Sequence, residues 1–286
     1  MVSWIHLSDL QIDQVPSDES IVEIVKMAVA CKPDFVVDTG DCVNGEVNDT
    51  AEEKERLKGL WARYRKAVRP IRASCPFFHV PGNHDFTSSD PTATTFLRQT
   101  GRPGKPAWFA TTVKGIHLIG LDVNVRHHAA GFSPDSAQGK WFASHLRRKR
   151  QARCTVLAAH FPLFAPPSQV DDPTAAGDHT FHYHEPTAEK GTLLPILERA
   201  GVDLYMCGHF HAYERCRYRR LTQVMPSGHG PAINFMRSGA SKFRKAVDYS
   251  DRRSFNRFTL DGDKLRGEAI AIDGQIIDRW WQKLNH

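Results

Sequence analysis

Residues 34–41 of this chain, DFVVDTGD, join a short apolar run to a polar turn that ends in a carboxylate, Asp41. The run has the length and the β-branched residues of a buried strand, and the Thr-Gly pair that follows it is typical of a tight turn. Other apolar runs of the chain also end in polar residues, including VSWI, FFHVPG, GIHLIGLD, CTVLAAH and VDLYMCGH. This repetition predicts strands whose carboxyl ends meet in one crevice, where ligands bind in open α/β sheets.

Helical patterns separate several of these strands, at about 18–30, 51–68, 134–150 and 187–200. The alternation of strands and helices predicts a layered α/β fold. Residues 254–282 differ, because three strand-like runs joined by two Asp-Gly turns are typical of an antiparallel meander. We therefore expect mixed sheets. We predict one domain over residues 1–286, in which the Pro-, Asp- and His-rich segment 165–186 is a lid or specificity loop.

The composition narrows the class of protein. The chain has 41% hydrophobic and 24% charged residues, as soluble globular domains do, and its formal charge of +6 favours anionic partners. The six cysteines form no CxxC pair and lie mostly in apolar runs, which favours buried thiols in a reducing compartment. We find neither a signal-peptide pattern nor an apolar run of about 18 residues, and we expect a cytoplasmic protein without a membrane span.

The polar residues at the predicted strand ends are of the types that bind metal ions. Imidazole nitrogens combined with carboxylate and amide oxygens suit first-row transition metals. A carboxylate such as Asp41 can bridge two ions about 3.5–4 Å apart, an arrangement that stabilises both oxygens of a phosphoryl displacement. The candidate residues are Asp9, Gln11, Asp41, Asn83, His84, His160, His209 and His211.

The order of these residues resembles the calcineurin-like metallophosphoesterase family, whose blocks are D-x-H, G-D, G-N-H-D/E, an isolated His and G-H-x-H. Here the blocks read DLQ (9–11), GD (40–41), GNHD (82–85), His160 and GHFH (208–211). The closing block GHFHAYER is also similar to that of purple acid phosphatases, although GDCVN lacks their Tyr ligand. The resemblance implies an α/β, four-layer α/β/β/α sandwich with two mixed sheets, and a metal-dependent phosphoric ester hydrolase.

The resemblance also implies a role for each residue. The first ligand group, for one ion, consists of Asp9, Gln11, Asp41 and His211. The second ligand group, for the other ion, consists of Asp41, Asn83, His160 and His209. His84 is expected to protonate the leaving oxygen or to stabilise charge on it, and Asp85 to orient His84. The expected nucleophile is a hydroxide that bridges the two ions, with a pKa lowered by both.

Gln11 departs from the family, in which this position is usually His. An amide oxygen is a weaker donor than imidazole, and the resulting oxygen-rich group favours Mn²⁺. The expected cofactors are two divalent or trivalent ions of Mn, Fe or Zn, with Mn favoured beside Gln11. Two alternatives remain open, because Gln11 can hold a water ligand or act only as a polar turn residue.

The expected function is hydrolysis of a small anionic phosphate ester, with a slight preference for a phosphodiester or nucleotide-like substrate. The alternatives are a phosphomonoesterase, a lipid-linked pyrophosphate hydrolase, a nuclease, or a non-catalytic scaffold that lost activity through Gln11. Nucleic acid is the less favoured partner, because the basic runs 146–153 and 214–220 contain few aromatic residues. An arginine of 214–220 is a candidate for contacting a substrate phosphate. The sequence does not indicate an oligomeric state.

The remaining histidines and the C-terminal aromatic residues have less specific patterns. His6 and His117 lie within strand patterns and are expected to pack in the core. The histidines of 179–184 are predicted to be solvent-exposed rather than to contact substrate, and the role of His127 and His128 stays open. The RWWQ run, residues 279–282, is expected to pack on a strand face.

Overall fold

The computed structural model describes residues 1–13, 18–45, 49–87, 90, 92–124, 132–146, 152–163, 193–228, 245–250 and 252–284. These residues form two sheets that pack face to face, with helices on the outer face of each sheet. The predicted α/β/β/α sandwich with two mixed sheets is therefore confirmed. The predicted lid at 165–186 lies outside the described residues, and so does the run AINFMRSG (232–239), whose apolar residues are also typical of a strand.

The first sheet contains six strands. Their spatial order is β13 (Ile276–Lys283), β12 (Lys264–Ala271), β11 (Ser254–Asp261), β1 (Val2–Leu7), β2 (Phe35–Asp38) and β3 (Phe77–His79). The strands β1, β2 and β3 are parallel, whereas β11, β12 and β13 each run antiparallel to their neighbours. Gly262 (φ 59°) and Gly274 (φ 83°) supply the left-handed backbone in the two predicted Asp-Gly turns.

The second sheet contains seven described strands. Their spatial order is β10 (Lys245–Ser250), β8 (Tyr213–Tyr218), β9 (Leu221–Met225), β7 (Leu204–Met206), β6 (Cys154–Ala158), β5 (Ile116–Gly120) and β4 (Phe109–Val113). The strands β5, β6, β7 and β9 are parallel, and the other three are antiparallel. The hairpin of β8 and β9 was not predicted, because the arginines of β8 hide its alternation of buried and exposed residues.

The helices cover the outer faces of the sheets. They are α1 (Asp18–Ala30), α2 (Ala51–Ala67), α3 (Arg69–Ser74), α4 (Thr94–Gln99), α5 (Ala137–Leu146) and α6 (Leu193–Ala200). The side chain of Thr50 caps α2, and Leu57, Trp61 and Tyr64 of this helix pack against the first sheet at helical spacing. Within the part of the chain that the structure describes, no helix is both long and apolar enough to cross a bilayer.

The core between the two sheets holds the strand ends in place. The ring of Trp4 stacks on Phe35 with a centroid distance of 5.6 Å and lies 5.3 Å from the ring of Phe258. These residues share a buried cluster with Leu118 and Val156 of the second sheet. Removing a large apolar side chain from water stabilises the fold by about 1.5–3 kcal/mol, so this layer fixes one sheet against the other.

Candidate metal centre

The candidate ligands lie in loops at the carboxyl ends of five parallel strands. Asp9 and Gln11 follow β1, and the other candidates follow β2, β3, β6 and β7. One hydrogen bond connects the loops of the two sheets, because the His209 N–H, after β7, donates to Asp9 Oδ1, after β1, at 2.9 Å. Within the second sheet, the Gly208 N–H donates to the carbonyl oxygen of His160 at 2.8 Å. The predicted crevice therefore contains residues of both sheets.

Asp41 belongs to two groups of potential ligand atoms. Its carboxylate lies with His160 and His209 in one group and with Asp9 and His211 in the other, and the ligand atoms of each group are within 4.8 Å of one another. Asp41 is buried, with 1% of its surface exposed. A carboxylate shared by two such groups has the position of a ligand that bridges two ions.

The amide of Asn83 completes the second ligand group. Its Oδ1 atom lies 3.1 Å from His160 Nε2 and 3.0 Å from His209 Nδ1. His160 Nε2 in turn lies 3.2 Å from Asp41 Oδ2. Four potential ligand atoms from four loops thus converge on one point.

His160 has the hydrogen bonding expected of a metal ligand. Its Nδ1 atom is 2.9 Å from the carbonyl oxygen of Thr39. A carbonyl oxygen can only accept, so Nδ1 carries a hydrogen, and Nε2 is the nitrogen that faces Asp41 and Asn83 and can bind an ion once it has lost its proton. A backbone carbonyl that orients the imidazole in this way is the usual partner of a ligating histidine.

The amide of Gln11 faces the shared carboxylate. Gln11 is fully buried, its Nε2 lies 3.5 Å from Asp41 Oδ2, and within the described part of the chain its Oε1 has no hydrogen-bond partner. A buried oxygen without a partner costs about 1–3 kcal/mol. A cation beside Asp9, Asp41 and His211 would supply that partner. The first ligand group therefore fits a metal ion that prefers oxygen ligands.

The backbone at the ligand positions is unusual. Ten non-glycine residues of the described chain have a positive φ, and five of these ten are candidate ligands. They are Asp9 (54°), Gln11 (36°), Asp41 (53°), His209 (80°) and His211 (53°). Such conformations cost about 1–3 kcal/mol each and concentrate at functional sites. The turns that aim these side chains into the crevice are therefore strained.

Two glycines leave room for the carboxylates. A Cβ atom on Gly82 would lie 2.2 Å from Asp41 Oδ1, and one on Gly208 would lie 2.4 Å from Asp9 Oδ2. Both distances are far below van der Waals contact. The glycines of the GNHD and GHFH blocks are therefore required by close approach of the chain to the two carboxylates.

Asp85 holds the loop of Asp41 rather than the ring of His84. Its carboxylate accepts hydrogen bonds from the backbone N–H groups of Gly82 at 2.8 Å, Asp41 at 3.0 Å and Cys42 at 2.8 Å. Burial and the nearby charge of Asp41 raise the pKa of Asp85 well above its usual range. The expectation that Asp85 orients His84 is corrected, because the described contacts of this carboxylate are to backbone amides.

His84 is oriented by backbone groups. Its Nδ1 lies 2.9 Å from the carbonyl oxygen of Gly45, and its own N–H donates to Asp41 Oδ1 at 2.8 Å. Because the carbonyl of Gly45 can only accept, Nδ1 carries the hydrogen and Nε2 is the nitrogen that can exchange a proton. The imidazole therefore lies beside the shared carboxylate in a defined tautomer.

The charges of the centre favour a cation. Burial raises the pKa of Asp9 to about 7, although the nearby His160 opposes this shift. Burial alone would also raise the pKa of Asp41, but the charges of His160 and His84 outweigh it and hold that pKa well below its usual range. Burial lowers the pKa of His160, and Asp41 and Asp9 more than reverse this, to about 9. Because ligands bind metal ions in their deprotonated forms, an ion at this centre would compete with protons on Asp9 and His160.

Arg56 connects two of the ligand loops and was missed from the sequence. Its Nη1 donates to Asp13 Oδ2 at 2.8 Å and its Nη2 donates to the carbonyl oxygen of Asn44 at 2.7 Å. Its Nε donates to Glu53 of the same helix at 2.8 Å. The Glu53–Arg56 spacing on α2 was a visible signal for the ion pair, but the contacts to the loops depend on the tertiary fold.

Other residues singled out in the sequence lie away from the ligands. His6 and His117 are buried in strands, as predicted. Cys42, in the GDCVN block that lacks the purple acid phosphatase tyrosine, directs its Sγ towards Asp38 Oδ2 at 3.7 Å. His127, His128 and the histidines of 179–184 lie outside the described residues.

The basic run 214–220 forms β8 and the turn to β9. Arg215 donates to Asp278 Oδ2 at 2.5 Å, and the remaining arginines of the run lead to the turn, at the end of β9 opposite the metal centre. The described contacts of Arg215, Arg217 and Arg219 are with Asp278, the turn itself and Glu198, and not with a candidate ligand.

The two C-terminal tryptophans differ in exposure. Trp280 packs in the core, whereas Trp281 is 61% exposed, with Lys264 Nζ 4.2 Å from its ring centroid.

Comparisons with known proteins agree with this geometry. The chain is 26% identical over 202 residues to the serine/threonine-protein phosphatase CPPED1 of Mus musculus, a match that covers 70% of this chain and 60% of that protein. The chain thus spans less than two thirds of the length of this curated relative.

Among solved structures, the chain is similar to the purple acid phosphatase PPD1 from yellow lupin (Lupinus luteus) seeds, with a TM-score of 0.75 and 14% identity over 100% of this chain and 54% of that one. It is also similar to a dimetal phosphatase from Danio rerio, with a TM-score of 0.62 and 13% identity over 99% of both chains. Both likenesses concern the fold. The family model for calcineurin-like phosphoesterase matches residues 3–213, and the chain therefore belongs to the calcineurin-like phosphoesterase family.

Proposed function

We propose that this chain is a two-metal phosphoesterase. The observation that carries the proposal is the position of Asp41, whose carboxylate lies within 4.8 Å of ligand atoms in two separate groups. The relatives named as phosphatases support the same reaction class. Two bound ions would polarise the phosphoryl oxygens and activate a water molecule for attack on phosphorus.

The two ligand groups offer different donor atoms to their ions. The second group, Asp41, Asn83, His160 and His209, offers two imidazoles, a carboxylate and an amide. The first group, Asp9, Gln11, Asp41 and His211, offers three oxygens and one imidazole, which favours Mn²⁺. The partnerless Oε1 of Gln11 supports direct coordination by this amide.

His84 is the group that we assign to the leaving oxygen. Its Nδ1 is held by the carbonyl of Gly45, so Nε2 is the nitrogen that can give a proton to that oxygen. The hydrogen bond from the backbone N–H of His84 to Asp41 keeps this residue next to the metal centre. Asp85 contributes indirectly, because it holds the backbone of Gly82 and Asp41 in position.

The substrate that we favour is a small phosphodiester or nucleotide-like ester, and a phosphomonoester is the alternative. The formal charge of +6 suits any anionic ester. Six cysteines without disulfides, four of them buried, support a reducing compartment such as the cytoplasm. We propose that the chain acts as one domain, because a single core layer connects both sheets.

The experiment that tests this function combines metal analysis with an activity screen. Metal content is measured on the purified protein, and bis(p-nitrophenyl) phosphate and p-nitrophenyl phosphate are assayed with Mn²⁺, Zn²⁺, Fe²⁺ and Mg²⁺. We expect up to two ions per chain, turnover that depends on them, and loss of turnover with a chelator. A protein that binds two ions and hydrolyses neither ester would favour the scaffold alternative, for which Gln11 is the motivating substitution.

A further inference from the structure

Arg253, between β10 and β11, is an unusual cation. Its Nε donates to the carbonyl oxygen of Gly228 at 3.0 Å, whereas its Nη2 is buried and has no hydrogen-bond partner among the residues that the structure describes. Burial lowers the pKa of this guanidinium. A buried N–H group without a partner is rare in native proteins and requires an explanation, because it loses its hydrogen bonds to water without replacement.

Neighbouring arginines do not share this property. Arg252 pairs with Asp273, Arg257 pairs with Glu268, and Arg215 pairs with Asp278. Among the described residues, no carboxylate lies within ion-pair distance of Arg253. The charge of the guanidinium and its Nη2 donor are therefore available to a group that is not part of the described chain.

The first sheet places Arg253 at the same end as the metal centre. His6 of β1 pairs with Asn256 of β11 in antiparallel register, and two residues before Asn256 the N–H of Ser254 donates to the carbonyl oxygen of Ser227 at 2.7 Å. Arg253, which directly precedes β11, therefore lies at the carboxyl end of β1, the end at which the ligands gather.

The contact partner of Arg253 also borders the ligands. Gly228 packs so closely on the loop after β1 that a Cβ atom there would lie 1.9 Å from the carbonyl oxygen of Ser8 and 3.1 Å from that of Asp9. The preceding residue, Ser227, donates from its hydroxyl to the carbonyl oxygen of His211 at 2.6 Å. Arg253 is thus hydrogen-bonded to the segment 227–228, which packs against the loops that carry Asp9 and His211.

We propose that Arg253 binds an anionic oxygen of the substrate phosphoryl group, and of the phosphate product, on the side of the first ligand group. A guanidinium recognises phosphate through short, charge-assisted hydrogen bonds from two of its nitrogens. This inference rests on the proposed function, since it concerns the same reaction. Arg253 thus takes the role for which the sequence pattern made an arginine of 214–220 a candidate, contact with the substrate phosphate.

The test compares Arg253→Gln and Arg253→Lys with the neighbouring control Arg252→Gln. Binding of inorganic phosphate to the Mn²⁺-loaded proteins is measured by titration calorimetry, which requires no turnover. Metal content and melting temperature are measured on each protein, and KM and kcat are measured for p-nitrophenyl phosphate.

The expected result is that Arg253→Gln weakens phosphate binding by about 10–100-fold, the range for loss of a charge-assisted hydrogen bond, while both ions stay bound. Arg253→Lys should lose part of this affinity, because an ammonium keeps the charge but not the paired geometry. The control Arg252→Gln should bind phosphate as the wild type does.

Phosphate affinity of Arg253→Gln within about twofold of wild type would overturn the inference. If Arg253→Gln does not fold, Arg253→Lys decides, and unchanged phosphate affinity and KM in that variant overturn it. An equal loss of affinity in Arg252→Gln would also overturn it, since the effect would then be the net charge of the surface. A wild type that binds phosphate but hydrolyses no ester would contradict the proposed function and leave the role of Arg253 to be decided by the calorimetry.

Discussion

The two ligand groups share Asp41 but differ in how closely their atoms approach. In the second group, Asn83 Oδ1 lies 3.1 Å from His160 Nε2 and 3.0 Å from His209 Nδ1. His160 is in addition held by a backbone carbonyl, at 2.9 Å. The side chains of this group are therefore arranged before an ion arrives, and little reorganisation opposes binding.

The first group is looser. Gln11 Nε2 lies 3.5 Å from Asp41 Oδ2, and His211 Nε2 lies 3.7 Å from Asp9 Oδ1. A neutral amide stands where the family usually has imidazole. The fold therefore preorganises the second metal position more than the first, and we expect the second group to bind its ion more tightly.

The largest expected effect comes from the residue common to both groups. Asp41→Asn keeps the shape of the side chain but removes the charge that offsets two cations. We expect both ions to weaken and turnover to fall by about 10⁴-fold or more, because several kcal/mol of charge stabilisation are lost and each 1.4 kcal/mol is a factor of ten. Metal analysis and kcat/KM check this. Full activity with two ions bound would remove Asp41 from the centre.

His84→Ala separates catalysis from metal binding. The imidazole is assigned to the leaving oxygen and not to an ion, so both ions should stay bound while the rate falls by about 10²–10⁴-fold. The deficit should be smaller for esters with good leaving groups, which need little protonation. The measurement is kcat for a series of aryl phosphates with matched metal content. Loss of an ion from this variant would instead make His84 a ligand.

Replacing one amide in each group sharpens the comparison. We expect Gln11→Ala to weaken the first ion and Asn83→Ala to weaken the second, each by about 10–100-fold in affinity. Gln11→His should tighten the first position and shift its preference towards Zn²⁺ or Fe²⁺. Metal titrations of the three variants check this. If both Gln11 variants keep the stoichiometry, affinity and ion preference of the wild type, Gln11 is a polar turn residue.

The smallest expected effect concerns Arg56, which ties the loop after β1 to the loop after β2. Arg56→Gln should weaken the first ion about threefold to tenfold and leave the second unchanged, because only Asp13 and Asn44 lose their link. Arg63→Gln is the matched control, since Arg63 also reaches Asp13, at 3.2 Å, but its other described partner is Asp18. Equal effects of the two variants on metal affinity would show that Arg56 acts only through surface charge.

The position of the candidate ligands at one edge of the fold was predictable for a physical reason. Parallel strands of one sheet end at the same edge, so local patterns were sufficient to place Asp9 and Asp41 together, whereas the position of His209 beside them depends on how the second sheet packs on the first. The boundaries of α1 and α2 were also readable, because their apolar residues recur at helical spacing.

The residues that support the ligands were not predictable in the same way. Asp85 binds backbone amides, Arg56 binds the carbonyl of Asn44, and Arg253 binds the carbonyl of Gly228. A backbone partner leaves no trace in the sequence, because every residue type has a carbonyl and nearly every type has an N–H. For Asp85 the family resemblance suggested the adjacent His84, whereas the fold offers this carboxylate three backbone amides.

The left-handed backbone of five candidate ligands has a consequence for the evolution of this protein. Glycine adopts this conformation without the cost of about 1–2 kcal/mol that other residues bear, so the local backbone at each of these five turns favours glycine over the residue present. The chain thus carries five side chains at positions where backbone conformation alone would select none. Asp, Gln and His at these turns are best explained by selection for what they bind rather than for the stability of the turn.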